Sequence, residues 1–228
     1  MFFQYAATVA LLASGAQISF GACAGMDSDS HFHKLDENNN VKVYTLELGR
    51  IESTSSHCHE HPFFYVVTSE SETSDTLEGH AGVSHKWYPG AARLVQNPET
   101  HTIRNESSTP HREVIVEILS RLEYNPLERG YAGDDFAGPG GVKQSDKTSV
   151  TLVQHGAMGG VKAEIVPGDQ LTFDASTKIL IALTDGTLEG LGKKFDLSRQ
   201  DVQLISPGAE FTLTNSGRFP IRFITISY

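Results

Sequence analysis

The run Leu94-Val95-x5-His101-x3-Asn105-x4-Pro110 reappears as Leu204-Ile205-x5-Phe211-x3-Asn215-x4-Pro220, every position displaced by 110. Each copy closes on an apolar run, Val114-Ile115-Val116-Glu117-Ile118-Leu119 in one and Phe223-Ile224-Thr225-Ile226-Ser227-Tyr228 in the other. Earlier in each copy, Phe64-Tyr65-Val66-Val67-Thr68-Ser69-Glu70 is similar to Ile179-Leu180-Ile181-Ala182-Leu183-Thr184-Asp185. A chain of 228 residues built this way reads as two copies of one unit of about 100 residues each.

The unit is a β unit. Short β-branched and aromatic runs, punctuated by Gly, Pro, Asn and Asp, predict strands over 41–48, 63–69, 91–96, 100–104, 112–120, 148–154, 161–166, 179–184, 201–206, 210–214 and 220–227. No long amphipathic helix interrupts them, which points to sandwiches or small barrels. The first unit spans 41–120 and the second 148–228. Between them, 121–147 carries Asn125-Pro126, Gly130, Gly133-Asp134-Asp135 and Gly138-Pro139-Gly140-Gly141, and reads as a linker. The polar stretch 25–40 reads as a flexible N-terminal segment.

Residues 1–24 read as a secretory signal peptide. Phe2 to Ala16 is mostly apolar, and Ala22-Cys23-Ala24 gives a small-x-small cleavage pattern, although Met1-Phe2-Phe3-Gln4-Tyr5 lacks the usual Lys or Arg. Ser14, Gly15 and Gln17 leave the apolar stretch short for a membrane span. A lipidated Cys23 is the minority alternative, with Phe20 where Leu is usual. Cleavage after Ala24 would leave Cys58 as the only thiol, with no disulfide possible within the chain. The formal charge of −10, without a Lys/Arg cluster, disfavours nucleic acid and anionic membrane surfaces as partners. A small-molecule substrate or ligand, neutral or cationic, fits better, and a homodimer is open.

Chemistry concentrates in His57-Cys58-His59-Glu60-His61, directly before Phe63-Phe64-Tyr65-Val66-Val67. On an extended strand alternate side chains share a face, so His57, His59 and His61 can converge while Cys58 and Glu60 face away. Convergent imidazoles favour Zn, Fe, Mn, Ni or Cu; a polar rim with no metal is the alternative. His31-Phe32-His33 repeats the H-x-H pattern without a strand signal, and His80 and His85 read as surface-loop residues with a lid role as the alternative. Asn105 reads as a turn residue, and Asn105-Glu106-Ser107 is also a glycosylation sequon if its loop is exposed. Arg93, Arg104, Tyr65 and Tyr88 are candidates for substrate contact by position.

Gly49 ahead of His57-x-His59, followed by a strand, together with Gly90 to Asn105 ending in His101-x3-Asn105, resembles the two motifs of the cupin superfamily. The resemblance covers most of 41–228 as two copies and implies an all-β chain of two tandem jelly-roll β-barrels. It implies His57, His59 and His101 as metal ligands for a divalent transition metal, with Fe or Mn favoured. The superfamily's usual Glu, three or four residues after the second His, is missing: Pro62, Phe63 and Phe64 stand there. His61 substitutes as a ligand, or the site has three histidines and open positions. Glu60 and His61 are the nearest candidates for a general base. The second copy reads Thr-Phe-Asp-Ala-Ser at 172–176 and Phe211 in place of His101, so it is expected to be a degenerate barrel without metal; His155 has no companion. The favoured function is a secreted mononuclear metalloenzyme acting oxidatively, dioxygenase-like, on a small organic molecule. A non-catalytic sugar- or aromatic-binding protein and a metal-assisted isomerase or cyclase are the alternatives.

Overall fold

A computed structural model describes residues 24–119, 143–144, 149–155, 158–176, 178–206 and 208–227. The expected signal peptide up to residue 23 and most of the expected linker lie outside the described residues, as do the side chains of 143–160, His155 among them.

After a 3-10 turn at Met26–Ser28, the first half contains β1 (Phe32–Glu37), β2 (Val41–Leu48), β3 (His57–His59), β4 (Phe63–Val67), β5 (Ser71–Leu77), β6 (Val83–Trp87), β7 (Ala92–Val95), β8 (Glu99–Asn105) and β9 (His111–Ile118). The second half contains β10 (Lys143–Gln144), β11 (Ser149–His155), β12 (Met158–Ile165), β13 (Gln170–Phe173), β14 (Lys178–Ala182), β15 (Gly186–Gly190), β16 (Lys193–Leu197), β17 (Val202–Ile205), β18 (Phe211–Asn215) and β19 (Ile221–Ser227). The first half forms the sheets β1-β2-β9-β4-β7 and β3-β8-β5-β6; the second forms β11-β12-β19-β14-β17 and β10-β13-β18-β15-β16. Among the described residues the chain is all-β, two tandem jelly-roll barrels of two sheets each.

The sequence repeat is a repeat of strand register. Phe64 pairs with Val116 on β9, and Ile179 pairs with Ile226 on β19. Asn105 and Asn215 play one role in both halves. Each is fully buried, and each donates from Nδ2 to the carbonyl four residues on, Thr109 at 2.8 Å and Phe219 at 2.9 Å. Asn105 also reaches the carbonyls of Leu48 and Gly49, which makes it a latch between strands. The glycosylation reading of Asn105 therefore fails, because its amide is enclosed and engaged.

β9 shows how the two barrels meet. Val114, Val116 and Ile118 face Ile179, Ile181, Ile224 and Ile226 of the second half in one apolar cluster. The alternate residue Ile115 faces the first barrel's interior with Tyr44, Leu46 and Phe63. A strand buried on both faces reads as a continuous apolar run, which is why 112–120 stood out in the sequence.

Two expectations need correction. Residues 25–40 are not a loose segment: Met26 is 3% and Phe32 7% exposed, and both join the first barrel's core. Alternation was invisible there because the 3-10 turn shifts the phase before β1, and β1 is an edge strand with one covered residue in six. The expected linker is also shorter than 121–147, since Lys143–Gln144 already pairs with β13 as part of the second barrel.

Candidate metal centre

β3 and β8 run antiparallel with His57 directly opposite His101. Two strand-mates on one face, plus a residue across the ladder, bring three imidazoles together without a special loop. The candidate ligand atoms of His57, His59 and His101 lie within 4.8 Å of one another, and the rings are 1%, 1% and 4% exposed. No other group of three such donors forms among the described residues.

Each ring is oriented through its Nδ1. His57 Nδ1 donates to the Ser55 carbonyl at 3.0 Å, His59 Nδ1 faces Glu117 Oε1 at 3.1 Å, and His101 Nδ1 faces Asp75 Oδ1 at 3.0 Å. With Nδ1 engaged, Nε2 is the nitrogen left for the shared space. The Nε2 atoms of His57 and His101 are buried without any hydrogen-bond partner. Orphaned buried acceptors cost about 1–3 kcal/mol each, and a cation between them removes that cost. Carboxylate or carbonyl partners on the distal nitrogen are the usual support of metal-ligating histidines. The donor set fits a metal.

Electrostatics agrees. Burial pulls His57 down to about 4 and His59 down to about 3, from an ordinary 6.5, so both rings are neutral with a free lone pair at neutral pH. Burial also acts to lower His101, but the hydrogen bond and charge of Asp75 outweigh it and hold His101 above the ordinary value. A carboxylate that favours a proton on this ring favours a metal ion there for the same reason. Burial raises Glu99 and Glu117 above the usual carboxylate range.

The segment expected to be loose backs the site. The buried Asp29 carboxylate accepts the backbone N–H of Ser55 and of His31, fixing the residue whose carbonyl orients His57. Phe32 packs on His57 with ring centroids 4.7 Å apart. Behind β3, Cys58 N–H donates to the Ala24 carbonyl at 3.1 Å. Cys58 is disulfide-bonded. It is therefore neither a free thiol nor a ligand.

His61 and Glu60 are corrections. β3 ends at His59, and the bend through Glu60, His61 and Pro62 breaks the alternation that would have carried His61 to the same face. His61 is absent from the cluster and Glu60 is exposed. Where the superfamily's Glu would fall, the Phe63 ring stacks on His59 with centroids 3.7 Å apart and planes 17° apart. Phe63 thus covers one face of the His59 imidazole.

A cavity of about 430 Å³ opens beside the histidines, with His59, His101, Tyr65, Trp87, Arg93 and Glu113 in its wall. Tyr65 and Arg93 thus line it as expected by position, whereas Arg104 pairs with Glu106 on the surface and exposed Tyr88 lies under Lys86. His80 and His85 also line it, and His85 stacks on Trp87 within β6 rather than in a loop. His31 is held by Asp29 and does not join the cluster. Sequence reasoning missed Asp75, Glu99, Glu113, Glu117 and His111. Three of these had a signal: His111, Glu113 and Glu117 are polar residues that share one face of β9 with Ile115, all three buried.

No family model matches the chain, and no curated protein matches it in sequence. Solved structures do match in fold. A salicylate 1,2-dioxygenase from Pseudaminobacter salicylatoxidans aligns with a TM-score of 0.60 at 10% identity, over 86% of this chain and 75% of that one. AerE from Microcystis aeruginosa aligns at 0.59 and 14%, over 87% and 97%. A cupin 2 conserved barrel domain protein from Leptotrichia buccalis aligns at 0.56 and 10%, over 86% and 87%.

Proposed function

From the cupin fold, we propose that the chain is a mononuclear metalloenzyme that acts oxidatively on a small, flat organic molecule. The observation that carries this reading is the convergence of three imidazoles whose Nδ1 atoms are all engaged and whose Nε2 atoms face one another. His57, His59 and His101 would hold a divalent ion such as Fe or Mn; a bound ion supplies a Lewis acid and, where redox-active, an electron-transfer centre. Phe63 keeps water off one face of His59. Tyr65 and Trp87 offer aromatic walls, and Arg93 is the one Lys or Arg among the residues lining the cavity, a partner for an anionic group. The similar salicylate dioxygenase, also known with gentisate, supports an aromatic acid as the substrate class. The second barrel packs against the first through β9 and lines no part of this cavity among the described residues.

Secretion is part of this reading. The apolar N-terminus supports it, and so does a disulfide at Cys58, since such bonds persist in oxidising compartments.

Elemental analysis of purified protein tests the reading first, with about one metal ion per chain expected. Oxygen uptake with Fe- or Mn-loaded protein and hydroxylated aromatic acids tests the second half. Turnover of a substrate by Zn-loaded protein without oxygen would replace it with the isomerase reading. Stoichiometric binding without any product would replace it with the binding-protein reading.

A further inference from the structure

A second cluster of polar side chains sits in the same cavity, outside the ligand set. Ser71 on β5, with His111 and Glu113 on β9, form a buried chain 4%, 1% and 5% exposed. Ser71 Oγ is 2.8 Å from His111 Nδ1, and His111 Nε2 is 3.4 Å from Glu113 Oε2. With Nδ1 turned to Ser71, His111 presents Nε2 to the Glu113 carboxylate. Both Glu113 and His111 line the cavity.

Burying such a chain is costly, because each polar group gives up water. The fold does not need it. In the second barrel, register puts Gly186, Ile221 and Phe223 at the places of Ser71, His111 and Glu113. Those three are complementary in shape: a Cβ on Gly186 would come within 2.8 Å of Ile221 Cδ1. The second barrel closes around Phe173, Phe211 and Phe223 instead, with ring centroids 5.2 and 6.4 Å from Phe173. Two versions of one architecture differ here by a buried polar chain, and the cavity beside the histidines is in the version that has it.

We propose that Glu113 is the proton acceptor for substrate bound in this cavity, with His111 and Ser71 as its positioning residues. The substrate class is a small planar molecule with an ionisable hydroxyl, stacked against the aromatic wall. In the step, the substrate O–H bond breaks, its electron pair stays on oxygen, and the proton forms the O–H bond of a neutral Glu113 carboxyl. No oxidant enters. This assigns the general-base role to β9 rather than to Glu60 or His61, and it rests on the metal-centre reading above.

The test uses the full chain loaded with Zn, which is spectroscopically silent, and 4-nitrocatechol as the probe. Absorbance counts probe hydroxyls ionised on binding. Calorimetry in two buffers of different ionisation enthalpy counts protons released to solvent. The difference is the number captured by the protein, expected to be about one per bound probe in the wild type and about zero in Glu113→Gln. His111→Gln should lie between them at unchanged Zn content. A wild type that captures no proton overturns the proposal even if no variant folds, and so does a Glu113→Gln protein that still captures one. Protein that retains no Zn fails the metal-centre reading first and this proposal with it. Protein that holds Zn but shows no capture fails this proposal alone.

Discussion

The two barrels are one architecture with two interiors. Where the first has His57, His101, Glu113 and Glu117, strand register gives the second Phe173, Phe211, Phe223 and Ser227. Asp75, which orients His101, corresponds to Gly190, where a Cβ would lie 2.4 Å from the Thr212 carbonyl. The ligands and their supporting acceptors thus differ together. A supporting carboxylate is worth its burial only where it has an imidazole to orient, and an apolar filling is worth having only where no cavity is needed. What both barrels keep is the Asn latch and the apolar faces that meet between them.

The largest test of this contrast is to write the second barrel into the first. His101→Phe should fold, because Phe211 does the same job 110 residues on, and should lose its metal. Elemental analysis should fall from about one ion per chain to none, and retained metal would remove His101 from the site. Conversely, Phe223→Ala should leave metal content untouched while costing about 3–5 kcal/mol in urea unfolding, as expected for a buried aromatic replaced by a cavity. Next in size is Asp75→Asn, which keeps the shape but removes the charge behind His101. Metal affinity should drop about 10- to 100-fold, measured by competition with a chromophoric chelator.

Acid should separate the barrels too. His57 and His59 titrate in the fold at about 4 and about 3, below the ordinary 6.5. Their contribution to stability is full above 6.5 and is lost as pH falls toward those lower values. His101, shifted upward, works in the opposite sense: its share is present at low pH and fades as pH rises above 6.5. With two rings against one, metal-free protein should lose stability on acidification below 6.5, and metal should leave in the same range. Denaturant midpoints measured across pH check this, and a flat profile would contradict the burial argument. The smallest expected effect is that of His61→Ala, which should change neither metal content nor stability measurably.

Much of this was legible early because strand signals and repeats are local. The predicted strand over 41–48 coincides with β2, and ten others overlap real strands. Among the unread ones, Ser71–Leu77 carries polar residues on both faces and so shows no apolar alternation. The ligand trio was also legible, since His57-x-His59 needs only a strand and His101-x3-Asn105 has a marked spacing. His61 was misassigned because alternation was extended past the end of β3 into a bend.

The sequence alone determined the two-copy β plan, the histidine pair with its distant third partner, and the apolar character of the second copy. Tertiary structure decided which carboxylates serve which imidazole, that residues 25–40 wall the site, and that Glu113 faces the cavity. Spacing along a strand fixes which residues share a face, because the chain's geometry is periodic. Which faces meet depends on register between strands distant in the chain, and no local pattern encodes the pairing of Asp75 with His101 or of Glu117 with His59.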